Sequence, residues 1–363
     1  MDKDKRIQAL WMDHAARLAW KGCHGVQANP MVGAVLVRDG KKIGEGYHRY
    51  FGGPHAEVEA IHSALRKGYS TVGAQLYVTL EPCCHIGKQG PCTEAIRDAG
   101  ISEVFYAQSD PNPLVAGKGA QWLKGNGIAV RKVLSTGAER LNVIYLTNAN
   151  KHRPFVHLKV ACTRDFKITL KKGFRAALSG KKSQERIHHL RNSVDAILVG
   201  IETLLIDDPR LTARLPKGRV HSPIRIILDS QLRTPATAQV FKEKGENWIL
   251  TVQKPSPPTL FPKSTHIVVC KKNKEGQIDI KDALRRLFKK GVRSLLVEGG
   301  MRVSTSFLEE ERVDRFTLIL TPHSSFQKEA PSVFDAAKIL PLAFKSFQVE
   351  QVEKDIWMEG FID

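Results

Sequence analysis

Six cysteines in 363 residues are too few to staple a chain of this length together, and they point to a reducing cytoplasm rather than a disulfide scaffold. Aromatic residues make up only 7% of the chain, which leaves little material for the stacking platforms that bind single-stranded nucleic acid. No run of 18 apolar residues occurs, so no membrane-spanning helix is expected. The opening Met1-Asp2-Lys3-Asp4-Lys5-Arg6 is charged with no apolar stretch behind it, and no signal peptide is read there. Acidic residues are also scarce: 37 stand against 56 Lys and Arg, a formal charge of +19. The excess lies in the second half, with 18 basic and 13 acidic residues up to position 150, and 38 and 24 beyond it. Residues 164–191 carry nine basic and two acidic side chains and only two aromatics, Phe166 and Phe174. Such an excess suits a solvated basic surface, a phosphate-bearing substrate with an anionic cofactor, or a nucleic-acid footprint; the lack of aromatics counts against the last. With 42% hydrophobic residues the chain can build packed cores, and its length suggests two domains.

Against this background, three short pieces in the first hundred residues stand out: His55-Ala56-Glu57, Glu81-Pro82-Cys83 and Pro91-Cys92. One imidazole and two thiolates suit Zn²⁺, and three protein ligands leave the fourth tetrahedral position for water, as a catalytic zinc requires. Glu57, two residues after His55, is not needed as a ligand. Zinc with such a carboxylate is the layout of the zinc-dependent deaminases, in which the metal acidifies a water and the Glu moves protons. The i, i+2 spacing in the first turn of a helix sends His55 and Glu57 in different directions, so that one binds metal while the other faces substrate. Pro82-Cys83 and Cys92 are expected at helix starts, where free N–H groups stabilise thiolates.

The pattern along the chain alternates strands and helices. Residues 9–22 read as an amphipathic helix, residues 33–37 and 43–48 as a hairpin turning at Asp39-Gly40, and His55 to Lys67 as a helix. Strand 76–80, helix 93–99, strand 104–107, helix 119–125 and strand 128–133 follow, which implies a three-layer α/β sandwich. A linking helix is expected over 136–149 and a boundary at Lys151-His152-Arg153-Pro154, dividing the chain into 1–150 and 151–363. The second half reads as strand 155–161, helix 181–192, strands 195–200, 224–228, 248–251 and 266–269, helix 281–290, and strand 294–297 running into Glu298-Gly299-Gly300 and a further helix. Strand-Gly-Gly-helix is either a phosphate cradle or a plain tight turn.

The N-terminal half resembles the riboflavin-biosynthesis deaminases, and the whole chain resembles the bifunctional deaminase/reductases of that pathway. The resemblance rests on Asn29-Pro30-Met31-Val32-Gly33, Gly44-Glu45-Gly46-Tyr47-His48, Gly53-Pro54-His55-Ala56-Glu57-Val58, residues 80–88, Pro91-Cys92 and Asp110-Pro111-Asn112-Pro113. Eight residues separate the two zinc cysteines, where cytidine and tRNA-adenosine deaminases typically place two. The resemblance implies a cytidine-deaminase-like fold, one zinc per chain on His55, Cys83 and Cys92, and Glu57 as the catalytic residue. It also implies a phosphoribosylated diaminohydroxypyrimidine as substrate, bound by Asn29, His48, His85, Lys88, Asp110 and Asn112. Cys84 replaces the family's usual small hydroxyl residue; it is read as a packed thiol that could compete for the metal.

The second half resembles the dihydrofolate-reductase-like domain of the same enzymes, through residues 158–159, 190–191, 196–200, Thr203, 207–209, 211–212, Arg214, 229–230 and 298–300. What that implies is NADPH-dependent reduction of the ribosyl group to ribityl. Ala161, Thr203, Asp207, Ser230, Gly299 and Gly300 would lie by the cofactor, and Lys159, Arg191, Leu211, Arg214 and Glu298 by the substrate. A homo-oligomer acting on a small molecule is implied, with no membrane and no nucleic acid as partner. The chain departs from the family's Ser-Leu-Asp-Gly at Thr163-Arg164-Asp165-Phe166, and from its Ser-x-Trp at Arg175-Ala176-Ala177. Ala for Trp removes about 1–3 kcal/mol of contact, while Arg175 offers a phosphate contact. Two alternatives are a deaminase with a degenerate second domain acting as scaffold, and a nucleic-acid deaminase with a basic RNA-binding half.

Overall fold

The computed structural model describes residues 3–22, 26, 29–86, 89–171, 178–217, 220–255, 261–334 and 343–362. The chain divides into two compact units, Met1–Lys151 and His152–Asp363.

In the first unit, helix α1 (Lys3–Ala19) precedes a hairpin of β1 (Gly33–Arg38) and β2 (Lys41–Tyr47). Its turn residues Asp39 and Gly40 take φ values of 52° and 70°, the left-handed pair that matches strand twist. Then come α2 (Ala56–Arg66), β3 (Gln75–Leu80), α3 (Cys92–Asp98), β4 (Glu103–Gln108), α4 (Lys118–Gly125), β5 (Ala129–Lys132), α5 (Thr136–Glu139) and α6 (Val143–Lys151). The sheet order is β2-β1-β3-β4-β5, with β1 antiparallel to both neighbours and β3, β4 and β5 parallel. Alternation along β1 feeds two cores. Ala34 and Leu36 pack with Ala60, Ile96 and Leu123 of α2, α3 and α4, while Val35 and Val37 pack with Met12, Ala15 and Ala138 of α1 and α5. The expected linking helix is broken at residues 140–142, where Asn142 spends its side chain on the backbone of Met31 at 2.9 Å in both directions.

The second unit contains β6 (Phe155–Cys162), α7 (Lys181–Asn192), β7 (Ala196–Gly200), α8 (Ile201–Asp207), β8 (Ile224–Leu228), β9 (Asn247–Thr251), β10 (Thr265–Val269), α9 (Ile280–Lys289), β11 (Ser294–Val297), α10 (Met301–Glu309), β12 (Arg315–Leu320), β13 (Phe344–Val352) and β14 (Asp355–Ile362). They form a nine-stranded sheet in the order β10-β9-β8-β7-β11-β6-β12-β14-β13. Strands β10 to β12 in that order are parallel, and the C-terminal hairpin β13–β14 is antiparallel. Helix α8 and this hairpin were not anticipated: α8 is a seven-residue turn, and β13 is a largely exposed edge without a clear apolar run. The chain passes from β6 to β7 and leaves a slot that β11 later fills. Such a crossover opens a crevice at the carboxyl ends of the strands. Among the described residues, no helix is long and apolar enough to cross a membrane.

Candidate metal centre and reductase cavity

Glycines place the first site. Gly44 and Gly46 of β2 lie under α2; a Cβ on Gly44 would stand 2.3 Å from the Ala60 carbonyl oxygen, and one on Gly46 2.5 Å from the Ala60 nitrogen. With α2 seated so closely, His55 caps its N-terminus in extended conformation, and Glu57 follows in the first turn, 4% exposed. Cys92 is the first residue of α3. Cys83 does not begin a helix, contrary to expectation: it lies in irregular chain after β3. The start of α3 serves it instead. The Cys92 N–H donates to Cys83 Sγ at 3.4 Å, and the Thr93 N–H donates to the Cys83 carbonyl at 3.1 Å. Glu81, the neighbour of this pair, is structural: its carboxylate accepts the N–H groups of Gly117 and Ala120 around the start of α4.

His55 Nδ1 stands 3.1 Å from Cys92 Sγ and 3.5 Å from Cys83 Sγ, and the three donor atoms lie within 4.8 Å of one another. They share protons tightly. The bond with Cys92 brings the Cys83 thiol down to about 4, and the bond with Cys83 lifts His55 to about 9. The bond with Cys83, together with burial, pushes Cys92 well above its ordinary value. An imidazole and two thiols converging this closely fit zinc. Burial lifts Glu57 to about 7 against the pull of His55, so its proton is exchangeable near neutrality. Cys84 stands outside the cluster, half-buried, and its thiol donates to the Leu114 carbonyl at 3.6 Å.

Of the expected substrate residues, His48 is buried and meets the His55 ring edge-on at 5.4 Å. Its Nδ1 bonds the Pro54 carbonyl at 3.0 Å and burial lowers its pKa, so the ring is neutral with Nε2 left as an acceptor. The Nδ1 of His85 is buried without a hydrogen-bond partner, an orphan that a ligand would satisfy. Asn29 lies on the loop that Asn142 latches through Met31. Asn112 Oδ1 accepts the Leu114 N–H at 3.1 Å, and its own N–H donates to Asp110 Oδ1 at 2.9 Å. Lys88 lies outside the described residues. Sequence reasoning missed Tyr145, whose hydroxyl donates to Asp110 Oδ1 at 2.8 Å across 35 positions, and no local pattern marks it.

In the second unit a cavity of about 830 Å³ opens at the carboxyl ends of β6, β7 and β11. Ala161, Thr203, Asp207, Gly299 and Gly300 line it, as do Lys159, Arg191, Leu211, Arg214 and Glu298; Ser230 is not part of its wall. Glu298 holds Arg191 through two bonds of 2.8 Å and Lys159 at 3.0 Å. Burial alone would raise the Glu298 pKa, but Arg191 and Lys159 override it and keep the carboxylate well below the usual range. Gly299 allows α10 to close on the turn: a Cβ there would stand 2.5 Å from Val303 Cβ. A polar cleft of this size, with glycines before a helix start and cations beside them, fits an extended anionic cofactor with its substrate. Asp165 anchors the 323–326 loop by accepting the Ser325 and Phe326 N–H groups, and Phe166 sits at φ 56°. Arg175 and Ala177 lie outside the described residues.

Residues 5–108 match the cytidine and deoxycytidylate deaminase zinc-binding region, and residues 154–358 match the RibD C-terminal domain. The riboflavin biosynthesis protein RibD of Aquifex aeolicus is 38% identical over 321 residues, covering 88% of each chain. RibD of Bacillus amyloliquefaciens is 37% identical over 363 residues, covering 96% of this chain and 95% of its own. Among solved structures, a diaminohydroxyphosphoribosylaminopyrimidine deaminase/5-amino-6-(5-phosphoribosylamino)uracil reductase from Thermotoga maritima superposes with a TM-score of 0.83. It is 35% identical and covers 99% of this chain and 100% of its own. With the zinc-binding motif on one unit, the reductase-type domain on the other and relatives matching nearly end to end, the chain belongs to the RibD family of riboflavin-biosynthesis deaminase/reductases.

Proposed function

We propose that the two units catalyse successive reactions. The first deaminates a phosphoribosylated diaminohydroxypyrimidine by hydrolysis, and the second reduces the ribosyl group of the product to ribityl with NADPH. The observation that carries this reading is the convergence of His55, Cys83 and Cys92 beside the buried carboxyl of Glu57. Zinc bound there supplies the Lewis acidity that makes water nucleophilic at neutral pH. Glu57 takes the proton from the attacking water and returns protons to the ring nitrogen and the departing amine. Asn29, His48, His85, Lys88, Asp110 and Asn112 hold the substrate, His48 as an acceptor and Asp110 through its carboxylate.

In the second unit NADPH supplies the reducing equivalents. Ala161, Thr203, Asp207, Gly299 and Gly300 receive the cofactor from the cavity wall, with Ser230 placed nearby by the same reading. Lys159, Arg191, Leu211, Arg214 and Glu298 receive the substrate. One carboxylate, Glu298, faces two cations, so the trio keeps a net positive charge suited to a phosphate ester. The same reading makes the enzyme a cytoplasmic homo-oligomer, checked by light scattering and cell fractionation.

The test follows ammonia release and NADPH oxidation separately, with purified zinc-loaded protein and the phosphoribosylated diaminopyrimidine. Ammonia with matching NADPH oxidation is expected. Ammonia alone would leave a deaminase whose second unit is a scaffold, and neither signal would overturn the reading of both sites.

A further inference from the structure

The last helix of the first unit holds two of the segments that carry expected deaminase substrate residues, those of Asn29 and of Asp110 and Asn112. At its start, Asn142 makes two reciprocal bonds of 2.9 Å with the backbone of Met31, two residues after Asn29. One turn on, Tyr145 donates its hydroxyl to Asp110 Oδ1 at 2.8 Å. The Asn112 N–H lands on the same oxygen at 2.9 Å, and Oδ2 takes part in neither bond. Asp110 is 8% exposed, so its carboxyl has little water to orient it and its direction is set by these two donors. A phenylalanine would fill the same volume as Tyr145. The hydroxyl is therefore the informative atom, and it is spent on this carboxylate.

We propose that Tyr145 is a positioning residue for the deaminase: with the Asn112 N–H it saturates Oδ1 of Asp110 and thereby presents Oδ2 to a donor on the substrate, an amine or a sugar hydroxyl. The inference rests on reading the first unit as the deaminase. It assigns Tyr145 a role in binding, since the reacting centre is served by Glu57 and the metal ligands. Burial and the neighbouring carboxylate both push the Tyr145 hydroxyl upward, so it stays a donor at any pH the enzyme meets.

The test is Tyr145→Phe in the full-length, zinc-loaded protein, which removes one hydroxyl and no packing. The deaminase KM is expected to rise about ten-fold, the loss of one hydrogen bond to a charged group, with kcat changed less than about two-fold. Asp110→Asn should raise KM as well, and adding Tyr145→Phe to it should cost nothing further, because the hydroxyl acts through the carboxylate. A KM for Tyr145→Phe within two-fold of the parent, or a full multiplicative effect in the double variant, overturns the proposal. A second readout needs no turnover: in ¹³C NMR of labelled aspartate, removing the donor should move the Asp110 titration upward, and an unmoved titration overturns the proposal. Absence of ammonia from the parent protein would sink the reading of the first unit instead, leaving the titration to decide whether Tyr145 positions Asp110.

Discussion

The two sites are built in opposite ways. The metal centre draws three donors and a carboxylate from 38 consecutive positions, 55 to 92, and sets His55 Nδ1 at 3.1 and 3.5 Å from the two sulfurs. The reductase cavity draws its wall from positions 159 to 300 and encloses about 830 Å³ around a carboxylate with two cations. A metal site is set by donor chemistry at short range, so it leaves a dense local signature. A cofactor cleft is set by where strands end, and its residues can be scattered and exchanged as long as the charge balance and shape survive. Departures from the family pattern occur in both units: Cys84 beside a metal donor in the first, and Phe166, Arg175 and Ala177 in the second.

The sharpest way to break this comparison is Glu57→Gln. It should lower ammonia release by about 10³-fold or more while zinc content stays unchanged, since general acid–base groups contribute on the order of 10²–10⁴-fold. Near-normal turnover, or zinc loss in elemental analysis, would show that Glu57 does not have the role assigned here.

Glu298→Gln tests the scattered site. It leaves the largely buried Lys159 and Arg191 without a countercharge, and in a urea melt the protein should lose about 3 kcal/mol. The sign of its pH dependence follows from the depressed carboxylate: the stabilisation is complete above the ordinary glutamate pKa of about 4.3 and disappears as pH falls below it. The parent protein should therefore lose stability more steeply than Glu298→Gln below about pH 4.3, and parallel curves would refute the triad as a source of stability. Asp207→Asn should slow NADPH oxidation about ten-fold, the loss of one charge-assisted contact, with ammonia release untouched; equal loss of both would join the sites that the comparison separates. The smallest effect belongs to Phe166→Gly. Phe166 is 55% exposed at φ 56°, a left-handed position that costs a side chain about 1 kcal/mol. The variant should melt at a slightly higher temperature, and a lower one would mean that the ring makes a contact worth more than the strain.

Most strands and helices were legible because alternation and helical periodicity are local. The hairpin at Asp39-Gly40 and the strand running into Glu298-Gly299-Gly300 emerged as read. The misreadings share a cause. The helix expected across 136–149 breaks because the side chain of Asn142 serves a backbone 111 positions away. Cys83 lacks the helix start expected for it because the N–H that stabilises its sulfur comes from Cys92, nine positions on.

What the amino-acid order by itself singled out is the donor set proposed for the first site, His55, Cys83 and Cys92 with Glu57 nearby, because few residue types bind zinc and their spacing is nearly a signature; the fold brings the three donors within 4.8 Å of one another. Only the tertiary structure decided which groups answer one another across distance. It brought Tyr145 to Asp110, and it set Arg191 and Lys159 against Glu298. Such pairs form where packing brings strand ends and helix faces together, and burial then makes each polar group depend on its partner.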